Sequence, residues 1–227
     1  MDFEAGEVIY IDKPLGWTSF DVVNKIRYNL KTKKGIKKIK VGHAGTLDPL
    51  ATGVVIVCTG KATKRIETFM GHDKEYLATI RLGATTPSFD LEKEIDATYP
   101  FEHITREKIE AVLQEQFSGE VDQVPPMFSA IRIDGKRAYE YARKGDETVE
   151  LKSRKVTLYS VEIENFNLPD VTLRIVCSKG TYIRSIARDL GVALESGGHL
   201  IALRRTAVGE VRVEQTQSID DFISSLD

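Results

Sequence analysis

Residues that often carry metal or redox chemistry are scarce in this chain of 227 residues, which contains two cysteines and four histidines. Cys58 and Cys177 each end an apolar run, where a thiol behaves as a small hydrophobic side chain. They form no CxxC pair, so the sequence favours two reduced thiols in the core over a zinc site or a redox pair. The histidines show neither HxxxH nor HExxH spacing. The sequence therefore predicts no metal centre.

Long apolar runs are also missing, since none approaches the roughly 18 residues that cross a bilayer. The amino terminus carries acidic residues where a secretory signal has Lys or Arg. No glycine-rich phosphate loop of the GxGxxG or GxxxxGK[ST] type occurs. We therefore expect a cytoplasmic globular protein that has no membrane segment and needs no nucleotide cofactor.

Positive charge is concentrated in one segment, although the formal net charge of the chain is −2. Residues 31–40, KTKKGIKKIK, carry six lysines and no acid. Such a block is commonly a solvated loop. It can equally form a patch that faces phosphates and attracts a polyanion to a slightly acidic protein. Its position just before the segment around Asp48 favours the second interpretation.

The pattern of apolar residues mixes strands and helices without the regular βαβ rhythm of a doubly wound sheet. It predicts an α+β fold with a mixed, largely antiparallel sheet flanked by helices and loops. Strands are predicted at 6–14, 53–60, 75–83, 155–164, 171–178 and near 208–213. Helices are predicted after Thr18 or Ser19 with an apolar stripe of Val22, Val23, Ile26 and Leu30, after Thr105 with Ile109, Val112, Leu113 and Phe117, at 183–195, and after Ser218.

Two stretches between these elements have a different composition. Residues 84–100 are rich in Thr, Pro, Ser and acids, which indicates a long exposed loop that could face RNA. Residues 123–145 combine a Pro125-Pro126 pair, a strand, a turn at Asp134-Gly135 and a short helix ending at Gly145.

The segment GHAGTLDPLATG at 42–53 is the strongest candidate for a functional site. It contains three glycines and one proline, residues that set the backbone shape of turns. Pro49 fixes its own φ and moves Asp48 out of the helical region. The segment therefore predicts one carboxylate, Asp48, held in a single pose.

Three further segments could complete such a site. Tyr76 follows Lys74 and Glu75 at the start of a strand, and its ring could pack in the core or stack on a planar ligand. Tyr182 and Arg184 are two residues apart in KGTYIR, which on an extended segment places both on one face. Arg184 could then pair with Asp48 or form an ordinary surface ion pair. In HLIALRR at 199–205 we expect an apolar turn followed by two arginines. Judged in isolation, Leu203 would lie in the core, and Arg204 and Arg205 would be exposed to solvent.

Six ordered segments give the chain a resemblance to a known family. They are KPLGWTSFDVV, GHAGTLDPLATGVVIVCTGKATK, KEY, VPPMFSAIRIDGKRAYEYAR, KGTYIR and LRR. In this order, over roughly residues 6–213, the chain resembles the bacterial TruB family of tRNA pseudouridine synthases. The resemblance implies isomerisation of uridine 55 in the T-loop of tRNA to pseudouridine, a rearrangement that requires no metal, ATP or redox cofactor. It also implies a pseudouridine-synthase fold that binds the T-arm stem-loop. We expect no obligatory protein partner and, by default, a monomer.

The resemblance also implies roles for individual residues. Asp48 would be the catalytic carboxylate, acting by covalent attack or by taking a proton from the ribose, and Arg184 would pair with it. Tyr76 would stack on the flipped uracil, and Tyr182 and Leu203 would line the pocket. His43 would lie near the flipped nucleotide and support the opened loop. Contacts to RNA phosphates would come from Lys13, Lys33, Lys34, Lys37, Lys38 and Lys64.

Two departures from the family pattern affect these expectations. We expect a single domain over 1–227 with an insertion around 84–150 and without a full carboxy-terminal RNA-binding (PUA) domain. The family's TDTxD-like stretch reads TTPSFD at 85–90, which puts a role of that loop in gripping the T-arm in doubt.

Three other functions remain open at this point. One is a module that refolds tRNA without chemistry, against which the intact Asp48, Tyr76 and Arg184 argue. A second is a guide-RNA-dependent relative that acts on ribosomal RNA, against which the missing carboxy-terminal domain argues. A third is a glycoside hydrolase, which would need a second carboxylate that no comparable motif supplies.

Overall fold

A computed structural model describes residues 1–129, 131–133, 135–142 and 151–227. Within these ranges the chain forms thirteen strands and six α-helices. The strands are β1 Val8–Lys13, β2 Val41–Ala44, β3 Ala51–Thr59, β4 Lys74–Leu82, β5 Ala84–Thr85, β6 Ala97–Thr98, β7 Gly119–Gln123, β8 Arg132–Ile133, β9 Lys136–Arg137, β10 Arg154–Asn167, β11 Asp170–Cys177, β12 Gly198–Val208 and β13 Val211–Arg212. The helices are α1 Ser19–Lys33, α2 Ile66–Gly71, α3 Arg106–Gln116, α4 Ala138–Ala142, α5 Ile183–Ala193 and α6 Ile219–Ser224, with short 3-10 helices at Gly60–Arg65 and Val213–Gln215.

The described residues divide into two compact units, one of residues 1–77 and 203–227 and one of residues 78–202. In the first unit the strands follow the order β1-β3-β12-β4, with β2 also on β3 and β13 on β12. The strand β3 is antiparallel to β1 and β2 and parallel to β12. Every residue of β3 except Thr52 is buried, as expected for a valine-rich run covered on both faces.

Helix α1 of the first unit shows how local sequence sets its boundaries. Thr18 is the N-cap: its side chain accepts from the backbone N–H of Asp21, while the Asp21 carboxylate accepts from the N–H of Thr18. The predicted stripe of Val22, Val23, Ile26 and Leu30 is completely buried, and α1 packs against β2 and α6. Such burial contributes about 1.5 to 3 kcal/mol for each large aliphatic side chain.

In the second unit the strand order is β12-β4-β11-β10-β7, and the pairs β10 with β11 and β10 with β7 are antiparallel. Thr105 caps α3, as predicted, and Ile109, Leu113 and Phe117 are buried. Cys58 in the first unit and Cys177 in the second are buried free thiols. The mixed, largely antiparallel α+β architecture predicted from the sequence is confirmed.

Three local predictions were wrong. Residues 199–205 are not a turn but part of β12. Tyr182 and Arg184 do not share an extended segment, because Tyr182 is the N-cap of α5 and Arg184 lies in its first turn. The stretch 84–100 is not uniformly exposed: β5 pairs with β6, and Thr86, Ser88 and Asp90 are buried. The predicted turn residue Asp134 and the predicted helix end at Gly145 lie outside the described residues.

Candidate active site

Asp48 lies in a tight loop that joins β2 to β3 in the first unit, and it is half-buried. Its carbonyl oxygen accepts from the amide of Ala51 at 3.0 Å, which closes a turn around Pro49. The carbonyl oxygen of Pro49 in turn accepts from the amide of Gly16 at 2.8 Å. Gly45 enters the loop with φ +88°, a conformation that favours glycine. The backbone around Asp48 is therefore defined on both sides of the carboxylate.

Ser19 fixes the residue that precedes Asp48. The amide of Leu47 donates to Ser19 Oγ at 2.8 Å. The Ser19 hydroxyl in turn donates to the carbonyl oxygen of Leu47 at 3.2 Å. Ser19 is 1% exposed, so these bonds form in an environment without competing water. The first residue of α1 thus holds the Asp48 loop.

Lys13 fixes the residue that follows Asp48. Its ammonium donates to the carbonyl oxygens of Trp17 at 2.6 Å, Pro14 at 2.9 Å and Pro49 at 3.4 Å. Burial lowers the pKa of Lys13 to about 8, with Asp48 acting in the opposite direction and Arg205 in the same direction. Because Lys13 is completely buried, it is not a surface contact for RNA phosphates, and that prediction is corrected. Its charge faces Asp48 instead.

Arg205 is the second buried cation of this site. Its guanidinium donates to the carbonyl oxygens of Val54 at 2.7 Å, Gly45 at 3.2 Å and Thr46 at 3.4 Å. It is 1% exposed, which contradicts the expectation that this arginine is solvated. A planar fork suits three backbone acceptors, two of them in the loop before Asp48 and one in β3 after it. Arg205 therefore connects β12 to both ends of the Asp48 loop.

The register of β3 and β12 brings Leu203 next to this loop. Leu203 pairs with Ala51 and Arg205 with Gly53. A side chain at Gly53 would place its Cβ 2.2 Å from the carbonyl oxygen of Arg205, and Gly53 has φ +107°. Only glycine allows this close approach. Leu203, predicted to line the pocket, is thus half-buried on the strand beside Asp48.

His43 and Tyr76 belong to the same unit. Burial and the charge of Arg205 lower the pKa of His43, while a hydrogen bond with Gly45 opposes that shift. A neutral imidazole at physiological pH agrees with a supporting role rather than a cationic one. Tyr76 is 7% exposed on β4, one residue after Glu75, whose carboxylate accepts from Thr206 of β12 at 2.8 Å.

Arg184 organises a buried cluster in the second unit and is 5% exposed. Its guanidinium donates to the carbonyl oxygens of Phe128 at 2.9 Å and Ser88 at 3.3 Å, and it lies 3.5 Å from the Asp90 carboxylate. Asp90 ends the TTPSFD stretch that departs from the family pattern. Asp48 belongs to the first unit and Arg184 to the second, and their pairing stays a prediction.

Tyr182 is held from its backbone and from its ring. The side-chain amide of Gln123 donates to the carbonyl oxygen of Tyr182 at 3.1 Å and accepts from its N–H at 2.7 Å. The guanidinium of Arg154 lies 4.5 Å from the centre of the Tyr182 ring and also donates to the carbonyl oxygen of Gly180. Tyr182 therefore presents its ring from a fixed position at the start of α5.

The predicted phosphate contacts fall into different environments. Lys33 pairs with Asp227 at 2.7 Å and donates to the carbonyl oxygen of Ile223. Lys34, Lys37, Lys38 and Lys64 are exposed. Among the residues that the structure describes, no group of three or more His, Cys, Asp or Glu is arranged to hold a metal ion. No described helix is long and apolar enough to cross a membrane.

Sequence reasoning missed the residues that support the site. Ser19, Arg205, Asp90, Gln123 and Arg154 act through contacts with residues distant in the chain. For Ser19 and Arg205 a signal was present, since KPLGWTSFDVV and LRR were part of the resemblance, and Asp90 ends the TTPSFD stretch. Gln123 and Arg154 gave no pattern that local spacing could identify.

Comparison with protein families matches two successive models to the chain. Residues 31–183 match the amino-terminal domain of TruB family pseudouridylate synthases, and residues 184–226 match the carboxy-terminal domain of tRNA pseudouridylate synthase B. The site and the matched domains define a pseudouridine synthase, an isomerase.

Relatives of known name identify the family. The tRNA pseudouridine synthase B of Phocaeicola vulgatus is 64% identical to this chain, and the match covers 100% of this chain and 96% of that protein. The protein of the same name in Bacteroides fragilis is 60% identical, and the match covers 100% of this chain and 97% of that protein. The chain belongs to the TruB family.

Similar solved structures include a Cbf5-Nop10-Gar1 complex, with TM-score 0.72 and 30% identity over 98% of this chain. Another is the archaeal box H/ACA sRNP Nop10-Cbf5 complex, with TM-score 0.69 and 28% identity over 99% of this chain. This chain spans about half the length of those two chains, 54% in each case.

Proposed function

We propose that this protein converts uridine 55 in the T-loop of tRNA to pseudouridine. The observation that carries the proposal is Asp48 on a loop held by three buried polar side chains, Ser19, Lys13 and Arg205. Relatives at 60 to 64% identity over the whole chain, named tRNA pseudouridine synthase B, support tRNA as the substrate. The guide-dependent alternative is less well supported, because the matched chains of those complexes are 28 to 30% identical.

The reaction is a balanced rearrangement. The bond between uracil N1 and the anomeric carbon of the ribose breaks, the base turns, and C5 forms the new bond to that carbon. The proton leaves C5 and N1 takes up a proton, so the product is an isomer of the substrate. No oxidant, reductant or phosphoryl donor is consumed. We accordingly propose that neither a metal nor a nucleotide cofactor takes part.

Asp48 is the catalytic residue of this proposal. Its carboxylate attacks the ribose carbon or removes a ribose proton, and either step requires an ionised acid in a fixed position. The buried ammonium of Lys13 interacts electrostatically with the Asp48 carboxylate. Arg184 supplies a further counter-charge, which can orient the carboxylate.

The remaining predicted residues bind the nucleotide. Tyr76 stacks on the extruded uracil, and stacking of about 1 to 3 kcal/mol for one base offsets part of the energy needed to flip it. Tyr182 and Leu203 line the pocket, and His43 supports the opened RNA loop. Exposed lysines of residues 31–40 and Lys64 contact phosphates.

We further propose that the protein acts as a monomer in the cytoplasm and needs no protein partner to recognise tRNA. The structures of related proteins named above are complexes with Nop10 and Gar1. Sedimentation of the purified chain with and without tRNA would test this: a single protomer on each tRNA is expected. A stable dimer in both samples would contradict it.

Asp48→Asn tests the proposed function most directly. Wild-type protein should release tritium from C5-labelled uridine of unmodified tRNA in EDTA without added nucleotide. Asp48→Asn should release none while binding tRNA within a few-fold of wild type, since the amide keeps the shape of the carboxylate. Asp220→Asn, which changes an exposed acid of the same unit, should retain activity. Absence of release by the wild type would overturn the assignment.

A further inference from the structure

A hollow in the first unit gathers four lysines from two chain segments. It has a volume of about 290 Å³ and is lined by Glu4, Lys38, Ile39, Lys40, Gly60, Lys61, Thr63 and Lys64. Lys38 and Lys40 come from the lysine-rich segment, whereas Lys61 and Lys64 come from the 3-10 helix after β3. We call the four lysines the lysine pocket. Four ammonium groups and one carboxylate give it a positive charge in a chain of net charge −2.

The backbone under the lysine pocket is closely packed. The amide of Gly60 donates to the carbonyl oxygen of Lys40 at 2.9 Å and so joins the two lysine-bearing segments. Gly60 has φ +48°, and a side chain there would place its Cβ 2.3 Å from the carbonyl oxygen of Glu4. Thr63 Oγ1 donates to the carbonyl oxygen of Gly60 at 2.7 Å. The lysines are therefore mounted on a defined scaffold rather than on a free loop.

The four lysine side chains make no ion pair or side-chain hydrogen bond with other described residues. Lys33, from the same segment, differs because the Asp227 carboxylate neutralises it at 2.7 Å. Exposed ammonium groups held close together repel one another, and a bound anion removes this repulsion. The arrangement suits a phosphate group, for which lysine acts as a point charge.

The lysine pocket is far from Asp48. Asp48 precedes the first residue of β3, whereas Gly60 follows its last residue. A strand of nine residues rises about 3.3 Å per residue, which separates the two sites by about 25 Å. A phosphate bound in the pocket cannot belong to the reacting nucleotide. It must lie several nucleotides away along the RNA.

We propose that the lysine pocket is a second RNA contact, which binds a backbone phosphodiester of tRNA about 25 Å from the uridine at Asp48. This inference rests on the proposed tRNA function and adds a binding site to it. The pocket increases affinity for long substrates and has no part in the chemical step.

Two variants with equal loss of charge test the proposal. The first changes Lys38, Lys40, Lys61 and Lys64 to Ala; the matched control changes Lys25, Arg106, Lys152 and Lys155, exposed residues outside the lysine-rich segment, to Ala. Binding of tRNA is measured by anisotropy between 50 and 200 mM KCl. The pocket variant should reduce the salt slope by about 2 to 3, and the control by less than 1. Equal effects of both sets would mean a diffuse patch and overturn the proposal.

RNA length separates a remote contact from a general loss of affinity. The pocket variant should weaken binding of tRNA, but it should leave unchanged the binding of a T-loop hairpin too short to reach about 25 Å. Both variants should release tritium at the wild-type rate when RNA is saturating. Equal weakening with the short hairpin would contradict a remote site. Failure of the wild type to release tritium would instead overturn the proposed function.

Glu4 offers a test that expects a gain. Glu4→Gln removes the carboxylate from the pocket and should strengthen tRNA binding about two- to fivefold at low salt. Lys61→Glu should reverse that gain in the double variant. Binding of inorganic phosphate to the lysine pocket is measured as a final comparison. If phosphate binds there while none of these substitutions changes the affinity for tRNA, the site takes a free anion and not RNA.

Discussion

Ser19 and Leu47 exchange two hydrogen bonds, 2.8 and 3.2 Å long, immediately before the candidate catalytic residue Asp48. A single hydroxyl at the start of α1 satisfies both backbone groups of Leu47. Because Ser19 is buried, no water can replace it. The position of the carboxylate therefore depends on a residue 29 positions earlier in the sequence.

Ser19→Ala should destabilise the fold by about 1 to 3 kcal/mol, since two buried backbone groups lose their partner. It should also lower kcat by about 10- to 100-fold with a small change in KM, because a displaced carboxylate meets the substrate in the wrong geometry. Urea denaturation and tritium release measure the two effects. Ser153→Ala, an exposed serine, serves as control. Wild-type kcat for Ser19→Ala would show that the loop does not need this anchor.

Arg204 and Arg205 are neighbours on β12 with opposite environments. Arg205→Met removes the donor to three carbonyl oxygens, of which that of Val54 is buried, and should cost about 3 to 5 kcal/mol of stability. Arg204→Met removes a partly exposed ion pair with Asp12, 2.7 Å long, and should cost no more than about 1 kcal/mol. Urea unfolding of the two variants measures these costs, and Arg205→Met should have the lower midpoint. Equal costs would argue against the loop-anchoring role of Arg205.

Lys13 should make the free energy of unfolding depend on pH in the alkaline range. Its pKa is about 8 in the folded protein against an ordinary 10.5, so between these values the unfolded chain binds more protons. The contribution of Lys13 to stability therefore rises as pH increases from about 8 to 10.5, by roughly 3 kcal/mol, and is lost as pH falls through 8.

The same titration removes a positive charge that faces Asp48. Relative to Lys13→Met, the wild-type protein should gain stability over this pH range, as urea unfolding can show. If Lys13→Met does not fold, NMR of the lysine side-chain ¹⁵N in the wild type gives the pKa directly. Titration of Lys13 near 10.5 would contradict its buried position.

Local periodicity was sufficient for most of the secondary structure. The stripe of Val22, Val23, Ile26 and Leu30 and the valine run of β3 identify their elements because burial repeats with the helix or strand period. The prediction of a turn at 199–205 was wrong for a different reason. Two adjacent arginines are typical of solvent, and the carbonyl oxygens that allow Arg205 to be buried come from residues about 150 positions earlier.

The stretch 84–100 shows the same limit for loops. Its Thr, Ser and Asp residues are typical of exposed loops, yet Thr86 donates to the carbonyl oxygen of Asp90 at 2.7 Å and Asp90 faces Arg184. Polar side chains can be buried when they satisfy one another. The motif around Asp48 could be identified from the sequence because a carboxylate and backbone-shaping residues occur within a few positions of one another. The residues that anchor this loop are distant in the chain, and their anchoring role could not be predicted from local sequence.

Gln123 offers a final test, because its amide makes two hydrogen bonds with the backbone of Tyr182 at 2.7 and 3.1 Å. Gln123→Ala should cost about 2 kcal/mol of stability and reduce kcat, since the start of α5 and the Tyr182 ring lose their support. Gln123→Glu keeps the acceptor but, when ionised, cannot donate to the carbonyl oxygen of Tyr182. Its activity should thus recover relative to wild type as pH falls and the carboxyl gains a proton. Gln114→Ala, on the exposed face of α3, should behave as wild type. If Gln123→Glu follows the wild-type pH profile, the amide does not position Tyr182.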